Sequence, residues 1–118
     1  MEYGIIGDVL KHSFSKIIHE TLGGYPYEIK ELSQNELHDF MMERNFRGIN
    51  VTIPYKKDVI PYLDYVDESV KVIGACNVIV NKDGKLYGYN TDYVGFLAML
   101  DYFNVSLKDK KVAILGNG

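Results

Sequence analysis

The chain has 118 residues and a mass of 13.5 kDa, enough for one compact domain and little more. Its 47% hydrophobic and 25% charged residues are the ordinary globular balance, which excludes a disordered tail, a collagen-like repeat and a coiled coil. A formal net charge of −3 leaves no electrostatic footprint for nucleic acid or an anionic membrane surface.

Tyr3 to Asp8 reads as a first strand, with Ile5 and Ile6 buried and Gly7 breaking it. The opening MEYGIIGD lacks the basic start and long apolar stretch of a secretory signal. No apolar run approaches the roughly 18 residues of a membrane-spanning helix. The lone Cys76 excludes an intrachain disulfide and fits a reducing compartment, so a cytoplasmic protein is expected.

A polar turn follows, His12-Ser13-Phe14-Ser15. The hydroxyls of Ser13 and Ser15 are spaced to face one polyol; the plainer alternative is that one of them caps the next helix. Ile17, Ile18, Thr21 and Leu22 recur at helical spacing, and Gly23-Gly24 ends that helix. Tyr25 to Leu32 alternates as a second strand, with Tyr27, Ile29 and Glu31 on one face. Ser33-Gln34-Asn35-Glu36 is a capping-box pattern, and Leu37, Phe40 and Met41 place a helix over about Gln34 to Glu43.

Arg47 to Ile53 is a third strand, ended by Pro54. Its two-residue period puts Asn50 and Thr52 on one side, with Lys56 on the next turn. An amide, a hydroxyl and an ammonium can converge there; the plainer alternative is a strand-to-helix turn with a solvated lysine. Lys56 to Tyr62 and Glu68 to Ile73 are expected as short helices around Pro61 and Asp67.

Gly74-Ala75-Cys76-Asn77 is the next polar turn, where Asn77 either serves a ligand or satisfies the turn backbone. Cys76 reads as a small core residue, since nothing adjacent in sequence would lower its pKa. Cys76 to Asn81 and Leu86 to Tyr89 form a hairpin about Lys82-Asp83-Gly84-Lys85. Asn90-Thr91-Asp92 then opens a helix to about Asn104, with Tyr93, Phe96, Leu97, Leu100 and Phe103 as its apolar stripe. All three polar residues are good helix-starters as well as hydroxyl binders. Lys111 to Leu115 is a final strand running into Gly116-Asn117-Gly118, a weak Gly-x-Gly opening of a dinucleotide fingerprint.

Strand and helix alternate four times before the hairpin. That order predicts an α/β fold with three layers, α/β/α: a mostly parallel sheet with one antiparallel hairpin pair near Gly84. The histidines His12, His19 and His38 have no metal-binding spacing and read as structural. No phosphate-loop, Gly-x-Ser-x-Gly or His-Glu-x-x-His motif is present. Open α/β sheets collect ligands at strand ends, which is where the four polar clusters fall.

In this order, those clusters resemble the substrate domain of the shikimate dehydrogenases. The Ser-x-Ser turn, Asn-Val-Thr-Ile-Pro-Tyr-Lys, Gly-Ala-x-Asn and Asn-Thr-Asp are all in register, and Val-Ala-Ile-Leu-Gly-Asn-Gly resembles the start of that family's NADP domain. The resemblance implies NADPH-dependent, reversible reduction of 3-dehydroshikimate to shikimate, in the biosynthesis of chorismate and the aromatic amino acids. It implies Lys56 and Asp92 as the catalytic pair. Ser13, Ser15, Asn50, Thr52, Lys56, Asn77, Thr91 and Asp92 would contact substrate, and Gly116 and Gly118 would begin the cofactor site. A carboxylate beside an ammonium favours the charged form, so Asp92 is expected to hold and orient Lys56 and not to make it a stronger base.

Three positions depart from the family pattern: Gly7-Asp8-Val9 stands for Gly-Asn-Pro, Lys16 for proline, and Val78 for threonine. The family's length implies that residues 1–104 are the substrate domain with its inter-domain helix. Residues 105–118 would be the first strand and glycine turn of a truncated NADP domain. Alone, the chain is expected to be inactive and to bind no NADP(H), and its unpaired last strand is expected either to self-associate or to be disordered. The competing readings are a quinate/shikimate relative, a non-catalytic shikimate- or quinate-sensing module, and a generic α/β interaction domain with no ligand, which would make the four clusters a coincidence. Retention of both Lys56 and Asp92 counts against the sensor.

Overall fold

A computed structural model of the chain describes residues 1–11 and 13–116, so His12 lies outside the described residues. In chain order its elements are β1 (Tyr3–Gly7), α1 (Ser15–Gly23), β2 (Glu28–Glu31), α2 (Gln34–Glu43) and β3 (Gly48–Val51). A 3-10 turn (Ile60–Tyr62) precedes β4 (Tyr65–Val66), α3 (Glu68–Ile73), β5 (Val78–Lys82), β6 (Lys85–Tyr89) and α4 (Thr91–Tyr102). The strands form one sheet in the order β2-β1-β3-β5-β6-β4.

The pairs β1–β2, β1–β3 and β4–β6 are parallel. The hairpin at Gly84 is the expected one: Lys82 pairs Lys85, and Asp83 and Gly84 take φ of 53° and 81°, as a tight two-residue hairpin turn requires. Its first strand, β5, is the reversed element, antiparallel to β3 as well as to β6.

Alternation along the central strands sorts residues to two faces. Ile6, Ile49, Val51, Ile79 and Leu86 join Leu37 and Met41 of α2 and Val70 of α3 in the larger core. Each such side chain, removed from water, contributes about 1.5–3 kcal/mol. Ile5 and Tyr27 belong to a smaller cluster on the other face, where the ring of His19 from α1 stacks on Tyr27. Helices therefore flank the sheet on both sides.

α2 and α3 keep their expected bounds. At the start of α2, the Glu36 carboxylate accepts from the backbone N–H and the hydroxyl of Ser33, at 2.8 and 2.6 Å. α1 closes on Gly24, whose φ of 65° suits glycine.

Several expectations change: the third strand is Gly48–Val51 and not Arg47 to Ile53, and the hairpin's first strand is Val78–Lys82 and not Cys76 to Asn81. The second strand contracts to Glu28–Glu31 because β2 is an edge, paired on one side with β1. Lys56 to Tyr62 is a series of turns ending in the 3-10 turn. β4, two residues long, was not legible as a strand and docks beside β6. Lys111 to Leu115 forms no strand: no other strand lies alongside it among the described residues, and Leu115 is 99% exposed. Most apolar residues of α1 and α4 are exposed as well, among them Ile17, Leu22, Val94 and Phe96. Among the described residues, no helix is long and apolar enough to cross a membrane.

Candidate active site

The polar clusters meet at one rim of the sheet. The connections leaving the C-terminal ends of β1, β3 and β6 open onto it. Because β5 is reversed, the residue preceding it, Asn77, arrives at the same rim. The backbone ties these pieces together: Thr52 N–H donates to Ile6 O at 3.0 Å, Val51 N–H to Asn77 O at 2.8 Å, and Cys76 N–H to Lys56 O at 2.7 Å. Between Thr52 and Lys56 the Ile53–Pro54 peptide is cis. Tyr55, buried in the larger core, donates its hydroxyl to Leu32 O and so anchors the turn that carries Lys56.

Lys56 Nζ lies 2.6 Å from Asp92 Oδ2, bridging β3's connection and the first turn of α4. Asn90 starts that helix, accepting from Tyr93 N–H at 3.1 Å while its amide donates to Ala75 O at 2.8 Å. Asn77 makes two bonds to Thr91: Nδ2 donates to Oγ1 at 2.8 Å, and Oδ1 accepts from the backbone N–H at 2.7 Å. Asn77 thus satisfies the start of α4 and not its own turn.

Ser15, Asn50, Thr52, Lys56, Asn77 and Asp92 line a cavity of about 230 Å³ together with His19. Ser13 instead lines an adjoining cavity of about 670 Å³, which also takes in Ser15 and Thr52. Its Oγ accepts from Ser15 N–H at a long 3.3 Å. Thr91 lines a third cavity, of about 390 Å³, behind Asn50. Six of the eight residues named as substrate contacts therefore share one small cavity, and Ser13 and Thr91 border it from neighbouring ones.

The sequence set aside His19 as structural. It sits four residues after Ser15 on α1, one helical turn on, and that spacing is the signal that could have found it. Tyr27, beneath it, donates its hydroxyl to Asn50 Oδ1 at 2.6 Å. Burial, and after it the neighbouring Tyr25, push the Tyr27 hydroxyl above the ordinary tyrosine range, so it stays a donor through neutral and mildly alkaline pH. Cys76 is buried, with Sγ 3.3 Å from Val78 O, and burial raises its thiol. It packs in the core and is no nucleophile.

The arrangement offers an ammonium held by a carboxylate, two hydroxyls and two amides around a small space. That donor set fits a polyoxygenated organic ligand and can deliver a proton to one of its oxygens. Of the two glycines expected to open a cofactor site, Gly116 (φ 102°) lies in an exposed segment, and Gly118 lies outside the described residues.

Residues 5–79 match the family model described as the shikimate dehydrogenase substrate binding domain. The chain is 43% identical, over 98% of its length, to the shikimate dehydrogenase (NADP(+)) of Clostridium beijerinckii, covering 46% of that protein. It is similar to the crystal structure of shikimate dehydrogenase 1 from Peptoclostridium difficile, with a TM-score of 0.83 and 34% identity, over 89% of this chain and 42% of that one. The shikimate 5-dehydrogenase of Thermus thermophilus, solved in complex with NADP(H) and shikimate, superposes with a TM-score of 0.82 at 34% identity, over 92% of this chain and 44% of that one. The chain spans about half the length of the curated relatives it matches.

Proposed function

The chain belongs to the shikimate dehydrogenase family through its substrate binding domain, and from that premise we propose that it forms the substrate-binding part of an NADPH-dependent enzyme that reversibly reduces 3-dehydroshikimate to shikimate. The observation that carries this is the 2.6 Å Lys56–Asp92 pair on the wall of a cavity shared with Ser15, Asn50, Thr52 and Asn77.

In the reductive direction, negative charge grows on the ketone oxygen. The Lys56 ammonium stabilises that charge and gives up a proton to it. Asp92 accepts a hydrogen bond from Lys56 and holds it in place. Ser15, Thr52, Asn50 and Asn77 bind hydroxyl and carboxylate oxygens, with Ser13 and Thr91 contributing from the adjoining cavities. A pocket built this way penalises a ligand that lacks one hydroxyl, because the protein group opposite it is left unpaired. NADP(H) would supply or remove the hydride when bound.

Residues 1–104 are then the substrate domain, and 105–118 lead into the cofactor domain, with Gly116 and Gly118 opening its glycine turn. This division is supported by the fraction of the relatives that the chain covers. Exposed Ile114 and Leu115 support self-association of the isolated chain through that tail. The buried, unpaired Cys76 goes with a cytoplasmic enzyme.

The test is turnover by the complete protein that carries this domain. Reduction of NADP⁺ in the presence of shikimate is expected, with the isolated 118-residue chain inactive. Equal turnover of quinate would widen the substrate class, and a folded complete protein that turns over neither would refute the proposal.

A further inference from the structure

Two residues, His19 and Asn50, line both the 230 Å³ cavity that holds Lys56 and Asp92 and the 390 Å³ cavity behind it. They form the partition between the two spaces. On the rear side, the His19 and Tyr27 rings are stacked with centroids 4.2 Å apart and planes 10° from parallel. His19 Nδ1 is 2.8 Å from the Tyr25 hydroxyl, which fixes the ring from behind. Tyr27 is buried beneath His19, and its hydroxyl donates to Asn50 Oδ1 at 2.6 Å.

An amide bound through its oxygen on one side has its NH2 left for the other. We infer that His19 is a positioning residue: by clamping Tyr27 against Asn50, it makes Asn50 present a hydrogen-bond donor, and not its carbonyl, to an acceptor oxygen of the ligand. Without the clamp, Tyr27 is free to tilt and the amide to turn over, and a carbonyl then faces the ligand's lone pairs. The inference rests on the shikimate reading for the identity of the ligand. The role assigned to His19 is new to it, because neither acid–base chemistry nor direct substrate contact is asked of the imidazole.

The outcome differs from that of a catalytic residue. Losing one oriented hydrogen bond and one aromatic stack should weaken binding with little effect on the chemical step. In the complete protein, His19→Ala is expected to raise KM for shikimate about tenfold, with kcat within about threefold of the parent. His19→Phe, which keeps a flat ring over Tyr27 but has no nitrogen, should recover most of the loss. Asn50→Asp keeps an acceptor for the Tyr27 hydroxyl but turns a second acceptor on the ligand. It should raise KM by about tenfold or more, and it provides the test should His19→Ala fail to fold.

If the parent enzyme turns over shikimate and a folded His19→Ala leaves KM unchanged, or His19→Ala does not fold and Asn50→Asp leaves KM unchanged, the inference is wrong and the functional reading stands. A fall in kcat at constant KM in His19→Ala, or no recovery with His19→Phe, also overturns it. A parent protein without shikimate turnover removes the functional reading itself.

Discussion

Lys56 and Asp92 are 36 positions apart in sequence yet within 2.6 Å in the fold. If they carry the proton and orient it, Lys56→Met should lower kcat by about 10²–10⁴-fold, the usual size of a lost general acid. Asp92→Asn keeps the shape but removes a charged acceptor, worth about 1.5–3 kcal/mol, so a fall of about 10- to 100-fold is expected. Steady-state kinetics of both variants of the complete protein measure this, and an active Lys56→Met enzyme would exclude the assigned role. The two-residue period of an extended chain made Asn50 and Thr52 legible as neighbours, and both line the cavity although β3 ends at Val51. The convergence of Asn77 with Thr91 was not legible, since it depends on the reversed strand between them. Nor was the stacking of His19 on Tyr27, which joins a helix to the far side of a strand and leaves no local pattern.

Elements with their own start and stop signals were the readable ones. α2 and α3 follow the capping residues Ser33, Glu36 and Asp67, and the hairpin follows Asp83-Gly84. β4 and the shortened β2 depend on partners distant in sequence, so their lengths are set by the sheet and not by their residues. Asn90 is a test at this scale. It is buried, caps α4 through Tyr93 N–H, and ties the preceding turn through Ala75 O. Asn90→Ala removes the cap and leaves a carbonyl without its donor, at an expected cost of about 1–3 kcal/mol. Urea unfolding should show a lower midpoint with an unchanged slope. A midpoint like the parent's would mean that α4 does not depend on this residue.

Over the whole molecule, apolar spacing announced the helices but not what covers them. Of the periodic residues of α1 and α4, Leu22 is 84% and Phe96 51% exposed within this chain. The interior also sets an alkaline limit. Burial raises the hydroxyls of Tyr27 and Tyr55 above their unfolded values, so these groups favour the folded state fully below about pH 10. That contribution is lost as pH rises toward the folded values, because the unfolded chain ionises first. Unfolding free energy measured from pH 8 upward should therefore decline above about pH 10, and Tyr27→Phe should soften the decline; an identical curve for that variant would rule Tyr27 out as a source. A last consequence comes from the reversed strand. By turning β5 around, the fold sends the Asp83-Gly84 turn to the end of the sheet opposite Lys56 and Asp92, about 17 Å away by the rise of a five-residue strand. If the rim at Lys56 and Asp92 meets the ligand, a fluorophore, an affinity handle or a surface tether attached at the Asp83-Gly84 turn would leave that rim free.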